Sequence, residues 1–435
     1  MRTEEEMMEL ILNTAKNDNR VRGVYMNGSR INPNAPKDIF QDYDIVYIVK
    51  ETASFIKEEK WIDIFGERLY MQCPEEMDRL LGKESDCENN YGYLMQLADG
   101  NRIDIHIKTL PCALQDILSD RQCRILLDKD GKLPKILPET DEDHWVKKPS
   151  LEEYKCCCNE YWWVLNNVGK GLWRKEVTYA MDMINQILRP QLITMLSWEI
   201  GINTGFSCSV GKFGKYMDRY LQKRKWEDFL QTYSAANFDK IWQAVFKMCD
   251  LFEETSKEVG ERLDYPFDET EAHNSRLYFD CICELPSDAK EIYMVRRMKP
   301  SDVEEVSAIW LEENINVHSF IPESYWRKNC AMVKQQLLET EVYLYENQKE
   351  IVGFVGINMG YVQGIFVKEN MRSRGIGRML MKTCKSKYFK IYLNVYCQNE
   401  EAVKFYMKEG FKIAKKQIDK GTNHSEYEMI WKQEG

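Results

Sequence analysis

The chain has 435 residues, 44% of them hydrophobic and 30% charged, with a formal net charge of −10. This apolar share supplies real cores and excludes an intrinsically disordered chain, and the length suggests two or three domains. The acidic balance, with no basic stripe, argues against a general nucleic-acid binder. No apolar run approaches the roughly 18 residues that a membrane helix needs, so no membrane partner is expected. The opening MRTEEEMMELILNTAKND places acids where a secretory leader needs positive charge, which predicts a cytoplasmic protein. The sequence has 14 cysteines but no paired C-x-x-C motif, and the run Cys156-Cys157-Cys158 lies in a helical pattern. Reduced, buried thiols are expected there.

In chain order, the first 18 residues read as an amphipathic helix, with Met7, Met8, Leu10, Ile11 and Ala15 at helical spacing. A short apolar run from Val21 to Met26 ends at Gly28-Ser29, and Tyr43 to Val49 reads as a strand. Tyr91 to Ala98 and Arg102 to Lys108 flank Asp99-Gly100, which predicts a hairpin with a type I′ turn. Arg124 to Asp128 is a further strand before a second Asp-Gly turn. Pro134, Pro138 and Pro149 mark a boundary near 150, beyond which the pattern turns helical and aromatic as far as about 284. A second boundary falls near Leu285-Pro286. After it come strand-like Ile292 to Arg297, a helix capped by Ser301, and strand-like runs at 341–346, 350–357 and 361–367. A helix at 375–386, a strand at 391–395, a helix at about 399–409 and two short strands complete the chain. The expected fold is α/β plus all-α. A mixed-sheet domain over 1–149 is followed by a helical bundle over 150–286 and an α/β domain over 287–435.

Chemistry concentrates first at Gly28-Ser29-Arg30 and Asp42-Tyr43-Asp44. A tight turn can present backbone N–H groups to a triphosphate. Asp42 and Asp44, two apart on a strand, leave the same face and suit Mg2+, which takes hard oxygen ligands. Asp104 lies on the alternating segment Arg102-Ile103-Asp104-Ile105-His106-Ile107. It is a candidate third metal ligand or a general base on an acceptor hydroxyl, and the two roles stay open. His106 shares its face as a neighbour. Together these features suit nucleotidyl transfer.

With these residues in place, GSR…QDYDIVYIV, YGYLMQLADGNRIDIHI, YKCCCNEYWWV and WEIGINTGFSCSVGKFGKYM together resemble the aminoglycoside 6-adenylyltransferases over about residues 1–285. The resemblance implies transfer of AMP from ATP to a hydroxyl of streptomycin, a role in antibiotic resistance, Mg2+ held by Asp42 and Asp44, and Asp104 as metal ligand, base or both. Gly28, Ser29 and Arg30 would face the phosphates, joined by Lys212 and Lys215 of Gly211-Lys212-Phe213-Gly214-Lys215. Streptomycin is cationic, so acids are expected around it, with Glu176 and Asp182 beside Trp173 as the candidates.

Near the other end, Arg372-Ser373-Arg374-Gly375-Ile376-Gly377 fits R-x-x-G-x-G between a strand and a helix, an arrangement that cradles anions. With Asn399, Ala402, Phe405, Tyr406 and Gly410-Phe411 downstream, residues 290–435 resemble the GNAT acetyltransferases, which use acetyl-CoA. That resemblance gives the pyrophosphate to Arg372, Arg374, Gly375, Ile376 and Gly377, and the pantetheine arm to Asn399. It makes Tyr406 the acid that protonates the leaving thiolate; the acceptor is not readable from the sequence, and only the fusion to an antibiotic-modifying domain suggests a second small-molecule amine. Two competing readings are a nucleotidyltransferase acting on protein or RNA, and a C-terminal domain that binds acetyl-CoA only to regulate the first.

Overall fold

The computed structural model describes residues 1–136, 139–289, 292, 294–347 and 350–433, so Pro138 of the expected boundary and Tyr293 of the expected strand lie outside the described residues. The chain packs as two compact units. One comprises Met1–Lys148 with Ser197–Gln222, the other Pro149–Leu196 with Lys223–Gly435.

The first unit opens with α1 (Glu4–Asn17), whose start is fixed by a capping box between Thr3 and Glu6. Its strands are β1 (Val21–Asn27), β2 (Tyr43–Val49), β3 (Arg68–Gln72), β4 (Asn90–Leu97), β5 (Arg102–Thr109) and β6 (Cys123–Asp128), interrupted by α2 (Ala53–Lys57), α3 (Pro74–Leu80) and α4 (Leu110–Ser119). They form one sheet in the order β3-β4-β5-β2-β1-β6, in which β2 and β5 are parallel. The period of two then sorts the side chains. Tyr43, Ile45 and Tyr47 of β2, with Ile103, Ile105 and Ile107 of β5, join Met7 and Ile11 of α1 in a core. The three isoleucines of β5 are fully buried, each contributing about 1.5–3 kcal/mol relative to exposure. The opposite face carries Val46 and Ile48, covered by Ala113 and Ile117 of α4. Asp44 and Asp104 share that second face.

The hairpin forms where expected, but its turn is not type I′. Gly100 has φ +91° whereas Asp99 is not left-handed, and type I′ requires both central residues to be so. Instead Asp99 accepts from Asn101 N at 3.0 Å and binds Arg2 at 2.7 Å, which holds it in an ordinary right-handed or extended conformation.

In the second unit the helices are α5 (Leu151–Trp173), α6 (Val177–Met183), α7 (Arg189–Thr204, whose later turns belong to the first unit), α8 (Lys223–Gln231), α9 (Phe238–Leu263) and α10 (Glu269–Glu284). A stacked Tyr161–Phe252 pair, 3.7 Å between ring centroids, locks α5 to α9. Cys157 and Cys158 are buried as expected, but Cys156 is exposed, because three consecutive helix positions span about 200° of the circumference.

The same unit continues with β7 (Met294–Arg297), α11 (Val303–Val317), α12 (Glu323–Glu339), β8 (Glu341–Asn347), β9 (Glu350–Asn358), β10 (Tyr361–Val367), α13 (Ile376–Lys385), β11 (Lys390–Tyr396), α14 (Glu400–Lys408), β12 (Lys412–Ile418) and β13 (Ser425–Lys432). The sheet order is β12-β13-β11-β10-β9-β8-β7. Ser301 does not cap a helix. It lies in a 3₁₀ turn, Pro300–Asp302, and Asp302 is the residue that precedes α11. The sequence reading placed one helix where two stand, α11 and α12, separated at His318–Pro322.

Candidate active sites

Register brings the first site together. β1 and β2 pair Asn27 with Asp44, and β2 and β5 pair Asp44 with Asp104, so the turn after β1 lies beside both carboxylates. Gly28 has φ +79°, and a methyl group on it would stand 1.9 Å from Asp44 Oδ2. The glycine is required twice over, for its conformation and for the approach of backbone to carboxylate. Asp42 sits one residue before β2, yet its carboxylate joins the same group. Burial, then Asp104 and Asp42, push Asp44 up to about 6.

Arg102 is the residue that sequence reasoning missed. Its guanidinium donates to both oxygens of Asp104 at 3.0 and 2.7 Å and lies 3.5 Å from Asp42. It stands two before Asp104 on an alternating strand, so its face was readable. Among the described residues no three Asp, Glu, His or Cys side chains stand close enough to enclose a metal ion. Arg102 engages both Asp104 oxygens. The donor set still fits a hard cation, since three carboxylates share one guanidinium and the Gly28 turn keeps the space beside Asp44 clear.

A cleft of about 510 Å³ lies in the same unit, lined by Ser29, Gln122, His144, Gly211, Lys212 and Lys215 among others. Lys212 and Lys215 thus share a cavity with Ser29 of the turn. Gln122 donates to Gly28 O at 2.8 Å, a contact that nothing in the sequence announces. Arg30 departs from the expectation. Its guanidinium lies 3.7 Å from the Tyr43 ring centroid and donates to the carbonyls of Asp42 and Gln41 at 3.1 and 2.8 Å. Tyr43 faces the α1 core, so Arg30 braces the loop before β2.

The expected antibiotic-binding residues belong to the second unit. Trp173 Nε1 donates to the carbonyls of Leu285 and Pro286 at 3.2 and 3.3 Å. Its polar edge is thereby engaged in pinning the end of α10. Glu176 and Asp182 are exposed, at the start of and within the short α6.

The second site centres on the start of α13. Gly375 has φ +82° and precedes the helix, and Ser373 before it is also left-handed at φ +60°. Arg374 is exposed. Arg372 is half-buried: it is ion-paired with the buried Glu313 and donates to Val367 O at 3.2 Å, which shapes the loop. Ile376 is a core side chain, 1% exposed, leaving only its backbone for a ligand. Gly377 admits the Phe405 ring, which a methyl group would meet at 3.2 Å. β10 and β11 pair only at Tyr361–Tyr392 and Val362–Leu393 and then part. Asn399 caps α14 by accepting from Ala402 N at 3.1 Å, and its amide stands 3.4 Å from His318 Nε2. Tyr406 on α14 is 5% exposed among Phe405 and Phe411, and burial raises its phenol above the usual range.

Residues 1–282 match the family model described as streptomycin adenylyltransferase. The chain belongs to that family. An aminoglycoside 6-adenylyltransferase of Bacillus subtilis (strain 168) is 39% identical over 269 residues, 61% of this chain and 93% of its own length. One of Campylobacter jejuni is 40% identical over 267 residues, 61% of this chain and 91% of its own length. Residues 339–413 match the GNAT acetyltransferase domain model. A peptidyl-lysine N-acetyltransferase of Escherichia coli (strain K12), YiaC, is 31% identical over 122 residues, 28% of this chain and 84% of its own length. The protein is thus an enzyme in which an adenylyltransferase of this family is fused to a GNAT acetyltransferase domain.

Proposed function

We propose that the first part transfers AMP from ATP to a hydroxyl of an aminoglycoside, with streptomycin as the first candidate, and so confers resistance to it. The observation that carries this reading is the Gly28 turn against Asp44, in register with Asp104, in a unit whose cleft also holds Ser29, Lys212 and Lys215. Asp42, Asp44 and Asp104 would hold Mg2+, which when bound supplies charge neutralisation at the phosphates. The acceptor oxygen attacks the α-phosphorus, the bond to pyrophosphate breaks, and the hydroxyl proton passes to a carboxylate, for which Asp104 is the candidate. Lys212 and Lys215 would offset charge on the triphosphate. Glu176 and Asp182 stay candidates for the cationic antibiotic.

The C-terminal domain, in this proposal, acetylates an amine. The start of α13 takes the coenzyme pyrophosphate on backbone N–H groups, and the arm enters where β10 and β11 part, near Asn399. The amine attacks the thioester carbonyl, the C–S bond breaks, Tyr406 donates its proton to the thiolate, and the proton that the amine sheds passes to solvent. The E. coli relatives' name suggests peptidyl lysine as a second class of acceptor. We divide the chain functionally as 1–149, 150–286 and 287–435, and place it in the cytoplasm, where ATP and acetyl-CoA are both present.

The test is incubation of the protein with magnesium and ATP against an aminoglycoside panel, following pyrophosphate and product mass. Streptomycin-dependent pyrophosphate and a product heavier by one AMP are expected, and both should vanish in Asp44→Asn. No release with any aminoglycoside, from a protein that binds ATP, would move protein or RNA acceptors to the front.

A further inference from the structure

Helix α10 lies almost wholly within the stretch that matches the adenylyltransferase family, which ends at residue 282. Its last turns nevertheless pack against the acetyltransferase domain. Cys281 is 3% exposed in the same core as Ile376, Met379 and Leu380 of α13, with Leu277 packed against it. Asp280 pairs with Lys382 at 2.6 Å, and Lys382 also stands over the Phe246 ring of α9 at 5.1 Å. Glu284, the last residue of α10, pairs with Arg378 in the first turn of α13 at 3.1 Å. A methyl group on Gly375 would lie 3.6 Å from the Glu284 carbonyl oxygen.

The C-terminal end of one helix therefore meets the N-terminal end of another. The end of α10 carries partial negative charge from its unpaired carbonyls, and Glu284 adds a full one. The start of α13 carries the matching positive charge in its free N–H groups and in Arg378. These are the groups a pyrophosphate would use.

We propose that the end of α10 is a built-in competitor for the coenzyme phosphates, holding Arg378 through Glu284 until acetyl-CoA displaces it. The inference rests on the reading of the α13 turn as a coenzyme site. It makes α10, pinned at its end by Trp173 of α5, the physical link between coenzyme binding and the helical region. The partner that displaces Glu284 is a diphosphate ester, because only an anion gains from the same N–H groups.

Calorimetric titration of the full-length protein with acetyl-CoA tests this. Glu284→Gln removes the nearer of two carboxylates at Arg378, Glu409 standing 3.9 Å away, and should bind up to about fivefold tighter, the upper end expected of an exposed pair. Arg378→Gln should bind more weakly and should cancel the gain when combined with Glu284→Gln. In wild type, acetyl-CoA should speed hydrogen exchange at the amides of 282–285 while slowing it at 376–379. Unchanged affinity in Glu284→Gln, with coenzyme still bound, would overturn the competitor and leave α10 a purely structural support. No binding of acetyl-CoA by either protein would defeat the coenzyme reading itself, and this inference with it.

Discussion

At the residue scale, Gly28 and Tyr406 carry the sharpest consequences. Alanine at 28 would bring a methyl group to 1.9 Å from Asp44 at a φ of +79°, so either the turn or the carboxylate must shift. Gly28→Ala should keep the fold, seen as an unchanged circular dichroism spectrum, while adenylylation falls at least about 100-fold, the scale of an ångström misplacement. Full activity in that variant would remove the turn from the site. Tyr406→Phe should retain coenzyme binding but slow thiol release about 100-fold or more if the phenol is the acid. An unchanged rate would mean that Tyr406 only packs against Phe405 and Phe411. Both residues were legible, since a glycine before a polar pair and a tyrosine in a motif are local signals. The engagements of Arg30, Arg372 and Trp173 were not, because their partners at Tyr43, Glu313 and Leu285 are set by packing.

Elements place these residues, and the segment between α11 and α12 shows how. His318 ends α11, with Nδ1 3.0 Å from Asn314 Oδ1 and Nε2 3.4 Å from the Asn399 amide. These partners suit a neutral ring that donates from Nδ1 and accepts at Nε2. Burial lowers its pKa to about 4 from 6.5. The unfolded chain therefore takes up a proton between pH 6.5 and 4 that the folded chain refuses. Stability is complete above that window and falls on acidification, by at most about 1.4 kcal/mol per pH unit from this group. Melting temperature measured from pH 7.5 to 5 should drop more steeply in wild type than in His318→Gln, with acetyl-CoA binding weakening alongside because Asn399 shares the contact. Parallel slopes would show that His318 is not the group responsible. Strands such as β2 and β13 were readable from alternation, whereas the α11–α12 break was not, because His318–Pro322 carries weak local signals beside a strong helical pattern on both sides.

For the whole molecule, the cut that sequence suggests near Pro286 would separate α10 from α13. Residues 287–435 expressed alone should melt about 5 °C or more below the same domain in the full chain, and extension back to residue 269 should remove the difference. Equal melting would mean that the shared core around Cys281 contributes little. Ser197–Gln222, read from sequence as part of the helical region, packs with the first sheet and carries Lys212 and Lys215 to the cleft beside Ser29. By itself the sequence determined the strand faces, and hence that Asp44 and Asp104 look away from the isoleucine core. It also determined the first helix and the glycine turns at Gly28 and Gly375, because period and glycines act over a few residues. Tertiary structure alone decided that Trp173 and Arg30 would brace loops, and that α10 would end on the α13 turn. Those outcomes depend on pairing between segments far apart in the chain, where register and packing, and no local preference, set which charges meet.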